Sequence, residues 1–131
     1  MPTRILVIED NEDNLTLMRL LLERASYEVL LAIDGHTGLD ISTREQPDII
    51  LLDLSMPEMD GWEVARELKA NVQTKNIPII AVTAHTLPKD RTRAYDAGCD
   101  AFIVKPFSVA TLIGEIENLI TYDEIRTQGV K

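Results

Sequence analysis

Short apolar runs alternate with amphipathic stretches along this chain of 131 residues. The runs are Ile5–Ile8, Tyr27–Leu31, Ile49–Leu52, Ile77–Val82 and Ala101–Val104. Short runs rich in leucine and β-branched side chains are typical of strands that are covered on both faces, as in parallel sheets. Pro78 lies near the start of its run, where a strand tolerates the missing backbone donor. The pattern therefore predicts five buried strands.

Helical periodicity appears between the runs. The stretch after the first run carries apolar residues at spacings of three and four, namely Leu15, Met18, Leu22 and Ala25. Such spacing places them on one face of a helix. Asp60 followed by Glu63 has the spacing of a capping box, which predicts that another helix begins there.

The fourth and fifth predicted helices differ in their apolar content. The fourth is expected to begin near Pro88 and to end at Gly98, and Tyr95 is its only large apolar side chain. We therefore expect weak anchoring on the sheet and a mobile element. The fifth is expected to begin after Pro106, with Ser108 as N-cap, and to bury Leu112, Ile113, Ile116 and Ile120.

Five strands alternating with five helices predict an α/β fold, a (βα)5 doubly wound parallel sheet with right-handed crossovers. The length suits one domain, which we assign to residues 1–121, with a polar C-terminal tail at 122–131. In such sheets the ligand site lies beyond the carboxyl ends of the strands, where the strand order reverses.

Composition reduces the number of functional classes to which the protein could belong. The net charge of −9 argues against a nucleic-acid partner, and no apolar run is long enough for insertion into a membrane. The single Cys99 agrees with a reducing compartment, so a cytoplasmic protein is expected. A local basic face around Lys89, Arg91 and Arg93 stays possible, although we interpret these charges as the solvated surface of a helix.

Charged and polar residues follow four of the five runs. They are Glu9 and Asp10 after the first, Asp53 after the third, Thr83 after the fourth and Lys105 after the fifth. Three clustered carboxylates repel one another by roughly 4 kcal/mol per close pair at an effective dielectric constant near 20. Lys105 compensates one negative charge, and the remaining oxygen ligands favour Mg²⁺.

The same residues suit phosphoryl transfer. An aspartate can attack phosphorus and form an acyl phosphate. The reaction requires in-line positioning and neutralisation of the equatorial oxygens, for which Mg²⁺, the Lys105 ammonium and the Thr83 hydroxyl are available.

Four motifs carry a resemblance to a known family. They are Ile8–Asn11, Leu52–Gly61, Val82–Ala84 and Val104–Phe107, in this order and each at the end of an apolar run. Over essentially the whole chain the sequence resembles the response-regulator receiver domains of bacterial two-component signalling. The resemblance implies the flavodoxin-like strand order 2-1-3-4-5. It also implies a non-enzymatic module that only accepts a phosphoryl group and slowly loses it again.

The resemblance also implies residue roles at the metal site. Asp53 corresponds to the phosphoryl acceptor, Asp10 to a direct ligand of Mg²⁺ (or Mn²⁺), and Glu9 to a ligand acting through a metal-bound water. The backbone carbonyl of Ser55 corresponds to a further metal ligand.

Further implied roles concern signalling. Thr83 and Phe102 correspond to a switch pair, Lys105 to the cation that pairs with the phosphoryl group, and the Lys105–Pro106 bond to one that is cis. The implied partners are a histidine kinase or histidine phosphotransfer protein and a downstream protein target. The pathway and the oligomeric state are left open, as is excision from a larger hybrid kinase.

Three alternatives remain at this point. A flavin mononucleotide carrier shares the fold but needs a small-residue loop after the first strand, where this chain has Glu9–Asp13. A haloacid-dehalogenase-like phosphatase needs a second aspartate where Ser55 stands. A phosphorylation-independent pseudo-receiver would keep the fold and usually lose one of the charged residues. His36 and His85 are interpreted as surface histidines, with His85 as a possible modulator of phosphoryl lifetime.

Overall fold

Strands and helices alternate as the apolar runs predict. The computed structural model describes residues 2–54, 56, 61–84 and 88–129, with side chains described as far as residue 121. The strands are β1 (Arg4–Ile8), β2 (Glu28–Ala32), β3 (Ile49–Asp53), β4 (Ile79–Thr83) and β5 (Ala101–Val104). The helices are α1 (Glu12–Arg24), α2 (Gly35–Glu45), α3 (Gly61–Ala70), α4 (Pro88–Asp96) and α5 (Val109–Gly129).

The five strands form one parallel sheet in the order β2-β1-β3-β4-β5, so the predicted fold class and strand order are confirmed. In register, Ile8 lies beside Leu52, Asp53 beside Val82, and Thr83 beside Val104. The strand order reverses between β1 and β3. Because all strands run in the same direction, the residues that follow them meet at one edge of the sheet.

Two apolar cores cover the two faces of the sheet. On one face, α2, α3 and α4 contribute side chains that include Leu39, Trp62, Val64, Leu68 and Ala94. On the other face, α1 and α5 contribute side chains that include Leu15, Met18, Leu22, Leu112 and Ile116. Successive strand residues alternate between these cores, as the period of two requires.

Local chemistry sets the helix ends. The Asn11 side chain accepts from the Asn14 backbone N–H at 2.9 Å and caps α1, and Ser108 accepts from the Thr111 N–H at 3.1 Å as the predicted cap of α5. Gly98 has a φ of +104°, which agrees with its predicted role at the end of α4. Of the predicted apolar stripe of α1, Leu15, Met18 and Leu22 are buried, whereas Ala25 is the C-cap residue and is exposed. Asp60, the predicted capping residue of α3, lies outside the described residues.

Helix α5 is longer than the apolar pattern indicates. Leu112 and Ile116 are buried and Ile113 and Ile120 half-buried, as their helical spacing predicts. The backbone stays helical to Gly129, so most of the segment assigned to a polar tail continues this helix. The apolar stripe ends near residue 120, and helix propensity can extend a helix beyond its buried face. The domain boundary at 121 stays a prediction.

The described part of the chain contains no helix with the length and apolar content of a membrane span.

Helix α4 has little apolar anchoring, as its composition predicts. Ala94 is its only buried residue, and Tyr95 is 46% exposed. Arg91 and Arg93, which we interpreted as solvated charges, are exposed to solvent, and each also contacts an aromatic ring. The guanidinium carbon of Arg93 lies 4.4 Å from the ring centre of Trp62 on α3, and that of Arg91 lies 5.3 Å from the ring centre of Phe102 on β5.

Arg93→Gln is expected to lower the free energy of unfolding by about 1 kcal/mol, because a cation over a largely buried tryptophan ring contributes roughly this much. Trp62 is the single tryptophan of the chain, so its fluorescence reports directly on the contact. We expect a changed emission spectrum and an earlier urea midpoint. Lys89→Gln removes the same charge from the same helix and serves as the control. Equal spectra for the parent and Arg93→Gln would show that the contact does not form in solution.

Candidate functional site

The predicted functional residues lie at the carboxyl edge of the sheet, on both sides of the strand-order reversal. Glu9 follows β1 directly, and its N–H donates to the Ala32 carbonyl at the end of β2 at 3.0 Å. Asp53 and Thr83 are the last residues of β3 and β4. Lys105 follows β5, and its N–H donates to the Thr83 carbonyl at 2.7 Å. Backbone hydrogen bonds therefore fix the sites from which these side chains extend.

Three carboxyl groups and one ammonium group converge at this edge. Ligand oxygens of Glu9, Asp10 and Asp53 all lie within 4.8 Å of one another. The Lys105 Nζ lies 3.2 Å from Glu9 Oε1 and 3.6 Å from Asp53 Oδ2. Among the described residues, one cation thus lies beside three acidic groups, so in their ionised form this cluster keeps an excess of negative charge. Such an excess attracts a further cation.

Burial distinguishes the three acids. Glu9 is 5% exposed and Asp53 is 8% exposed, whereas Asp10 is exposed to solvent. Glu9 Oε2 is buried without a hydrogen-bond partner. A buried carboxylate oxygen without a partner is costly, and a hard divalent cation would satisfy it. The residues present therefore fit Mg²⁺, which prefers oxygen ligands.

Burial also changes the protonation of Glu9. It is the largest cause of a pKa that rises from the usual 4.5 to about 7. The neighbouring Asp53 carboxyl group adds to the rise, and the Lys105 ammonium opposes it. Near neutral pH the metal-free protein therefore holds a proton on Glu9 in part of the molecules, and a bound cation would displace that proton.

We expect the metal-free parent to lose stability relative to Glu9→Gln as the pH rises from about 5 to about 8. The pKa of Glu9 is higher in the folded than in the unfolded chain, so only the folded chain keeps this proton between 4.5 and about 7. The free energy of unfolding consequently falls across that interval, by roughly 1–3 kcal/mol. Urea unfolding in the presence of a chelator measures the effect. A difference between the two proteins that is independent of pH would contradict it.

The alternation of the strands divides the site between the two faces of the sheet. Leu51 and Val82 belong to the core under α1 and α5, so Asp53, two residues after Leu51 and paired with Val82, lies on that face. Thr83 follows Ile79 and Ala81 on the opposite face, where α4 packs. Phe102 pairs with Ala81 and therefore shares the face of Thr83. A shift of Thr83 toward Asp53 would thus change the packing on the face of the sheet that α4 covers.

Most predicted site residues can be placed. Glu9, Asp10, Asp53 and Lys105 form one cluster, and the fully buried Thr83 lies at the same edge. The Lys105–Pro106 bond is cis, as the resemblance implies. Ser55 and His85 lie outside the described residues, so their predicted roles stay predictions.

Sequence reasoning missed a cavity beside the acidic cluster. Its volume is about 220 Å³, and its lining is mainly apolar, including Leu17, Met18, Leu21 and Phe107, with Glu9, Asp53 and Lys105 at one end. Leu17 is 55% exposed on α1. Exposed leucines in an otherwise amphipathic helix are the signal that could have indicated an apolar surface here.

Comparison with known proteins identifies the family. Residues 5–117 match the response regulator receiver domain. The chain belongs to this family. A receiver domain is a module of two-component signalling, and receiver domains in general are signalling modules rather than enzymes. Membership excludes the flavin carrier and the phosphatase as explanations of the fold and the acidic site.

Relatives and solved structures agree with the family. The polar-differentiation response regulator DivK of Brucella anthropi is 39% identical over 120 residues, which cover 92% of this chain and 98% of the relative. DivK of Brucella ovis is 38% identical with the same coverage. A receiver domain protein of Methanospirillum hungatei superposes with a TM-score of 0.89 at 26% identity, covering 96% of this chain and 99% of the other.

One solved structure bears on the acidic cluster. The receiver domain of a sensor histidine kinase from Pseudomonas aeruginosa was solved with a magnesium ion coordinated in its active site cleft. It is 34% identical and superposes with a TM-score of 0.83, covering 90% of this chain and 97% of that domain. Receiver domains bind Mg²⁺ at an acidic site, and in this chain Glu9, Asp10 and Asp53 form an acidic cluster.

Proposed function

We propose that this receiver domain accepts a phosphoryl group on the Asp53 carboxylate from a phosphohistidine donor. The observation that best supports this proposal is the position of Asp53. It ends a central strand, lies in the carboxylate cluster with Glu9 and Asp10, and has Lys105 Nζ at 3.6 Å. Its exposed fraction of 8% leaves a small accessible surface for an incoming phosphorus atom.

Glu9, Asp10 and Asp53 are proposed to hold Mg²⁺, which Mn²⁺ can replace, together with the Ser55 carbonyl predicted from the resemblance. A cation held by these residues would supply charge neutralisation at a phosphoryl oxygen and help to orient the phosphoryl group for in-line attack. The unpartnered Oε2 of Glu9 and the excess of negative charge in the cluster support this assignment.

Transfer forms one bond and breaks one. An oxygen of the Asp53 carboxylate bonds to phosphorus while the bond from phosphorus to the donor nitrogen breaks, and the electron pair stays with the imidazole. Lys105 is positioned to pair with a second phosphoryl oxygen, since its Nζ already lies between Glu9 and Asp53. Thr83 donates to a third. The acyl phosphate then hydrolyses slowly, which releases phosphate and restores the Asp53 carboxylate.

The signal is proposed to leave through the face of the sheet that carries α4. When Thr83 moves to donate to the phosphoryl group, Phe102 turns into the space beside the small Ala81, its partner in register. The weak apolar anchoring of α4 permits it to move in response. The altered surface then changes binding of a downstream protein. The donor is a histidine kinase or a histidine phosphotransfer protein.

Intact mass after incubation with acetyl phosphate tests the proposal. We expect one added phosphoryl group on the parent in the presence of Mg²⁺. The adduct should be absent when the metal is chelated, and absent from Asp53→Asn at any metal concentration. Asp10→Asn is the control that keeps Asp53 and weakens only the metal site, and it should recover at high Mg²⁺. An equal adduct on the parent and Asp53→Asn would refute acceptance on Asp53. No adduct from acetyl phosphate or from a phosphohistidine donor would favour a phosphorylation-independent interaction module.

A further inference from the structure

Two arginine side chains of helix α4 contact aromatic rings on neighbouring elements. Ala94 is the one buried residue of this helix, whereas α3 buries four side chains besides its first glycine. Arg91 and Arg93 are two positions apart and therefore point to different sides of α4. Arg93 contacts Trp62 on α3, and Arg91 contacts Phe102 on β5. The two arginines thus tie α4 to both of its neighbours.

The contact of Arg91 falls on the proposed switch residue itself. The Phe102 ring is half-buried, with the guanidinium carbon 5.3 Å from its centre. Phe102 lies on the same face of the sheet as Thr83, beside the small Ala81. Arg91 lies on α4, so a turn of the ring toward Thr83 is expected to carry it away from the guanidinium group. We therefore expect the contact with Arg91 and the inward ring to exclude each other.

We propose that Arg91 is a positioning residue of the switch, whose contact with Phe102 holds the ring in its present half-buried position and so opposes the phosphorylated state. The inference rests on the proposed function and adds a regulatory contact to it. Phosphorylation then requires the contact between Arg91 and Phe102 to break. Loss of this contact lowers the free-energy cost of the phosphorylated conformation. Arg93 does not share this role, since its aromatic partner Trp62 lies on α3 and is not the proposed switch residue.

The size of the effect follows from linkage. A cation over an aromatic ring at an exposed position shifts an equilibrium by about two- to fivefold. A ligand that binds only the switched state gains apparent affinity by the same factor when the unswitched state loses this contact. Beryllium fluoride with Mg²⁺ mimics an aspartyl phosphate and serves as that ligand. Arg91→Gln is therefore expected to bind it about two- to fivefold more tightly than the parent.

A double-mutant cycle tests whether Arg91 acts through Phe102. The cycle compares the parent, Arg91→Gln, Phe102→Leu and the double variant for affinity toward beryllium fluoride. The tightening caused by Arg91→Gln is expected to vanish in the Phe102→Leu background. Lys89→Gln, which removes the same charge from α4 without an aromatic contact among the described residues, is expected to bind like the parent. Arg91→Lys keeps the charge but lacks the planar guanidinium group, and it is expected to give an intermediate affinity.

The same four proteins are unfolded with urea in the absence of metal and mimic. This second cycle measures the contact between Arg91 and Phe102 independently of any phosphoryl chemistry. Coupling in both cycles supports the inference. Equal mimic affinity of the parent and Arg91→Gln, or a tightening that persists without the Phe102 ring, overturns it. A parent that fails to bind the mimic refutes the proposed function instead, and the unfolding cycle then still shows whether the stack exists.

Discussion

Gly61→Ala is expected to destabilise the protein by about 3 kcal/mol and to impair the phosphoryl site with it. Gly61 begins α3 directly against the end of β3. A Cβ atom there would lie 2.4 Å from the Leu54 Cα and 2.5 Å from the Asp53 carbonyl oxygen. Both are backbone atoms, so no side-chain rotation relieves the contact. Either α3 or the end of β3 has to move, and the latter carries Asp53.

The matched control for this substitution is Gly114→Ala. Gly114 lies in α5, and a Cβ at this position meets nothing within 4 Å. The same added methyl group is therefore expected to be harmless, or to stabilise the helix by about 0.5–1 kcal/mol. Urea unfolding of both variants in the absence of metal gives the comparison. Similar stabilities for the two variants would show that the close approach of α3 to β3 is not a constraint in solution.

Lys105→Met is expected to reduce the initial rate of phosphorylation by acetyl phosphate about 100-fold, as for loss of one group that stabilises transition-state charge. Lys105 is the cation that contacts both Glu9 and Asp53. Without it, a phosphoryl oxygen lacks a partner, and the acidic cluster repels the anionic donor more strongly. The rate is measured at saturating Mg²⁺, so that weaker metal binding does not contribute.

Lys69→Met is the control for loss of a partly buried lysine. Lys69 Nζ donates to the Ile77 carbonyl at 2.9 Å and to Asp100 Oδ2 at 3.2 Å, at the opposite edge of the sheet. This variant is expected to lose stability and to keep the rate of phosphorylation. Lys105→Arg retains the charge with a different geometry and is expected to fall between the parent and Lys105→Met. An undiminished rate in Lys105→Met would exclude Lys105 from the reaction.

Much of the fold could be predicted because the strands of this sheet are buried on both faces. Such strands appear in the sequence as continuous apolar runs, and each run ends where a polar site residue begins. In the structure β3 ends at Asp53 and β4 at Thr83, so each strand is one residue longer at this end than its apolar run. The parallel order then brings residues distant in sequence, such as Glu9 and Lys105, to the same edge.

The features that could not be predicted depend on side-chain orientation across elements. Arg91 and Arg93 have the appearance of solvated charges in the sequence, because their aromatic partners belong to other elements. The raised pKa of Glu9 arises mainly from burial. The sequence does not show which of the two adjacent acids, Glu9 or Asp10, is the buried one. Helix α5 continues beyond residue 121, and this part could not be predicted because it carries no apolar stripe.

Locating the phosphoryl group on the chain tests the central claim most directly. After phosphorylation with acetyl phosphate and Mg²⁺, borohydride reduces an aspartyl phosphate to homoserine and releases phosphate, so the modified residue is marked permanently. Peptide mass spectrometry is then expected to find homoserine at position 53 alone, with none in a sample treated without Mg²⁺. Homoserine at position 10, or a phosphoryl group that resists reduction and maps to a histidine, would contradict the account.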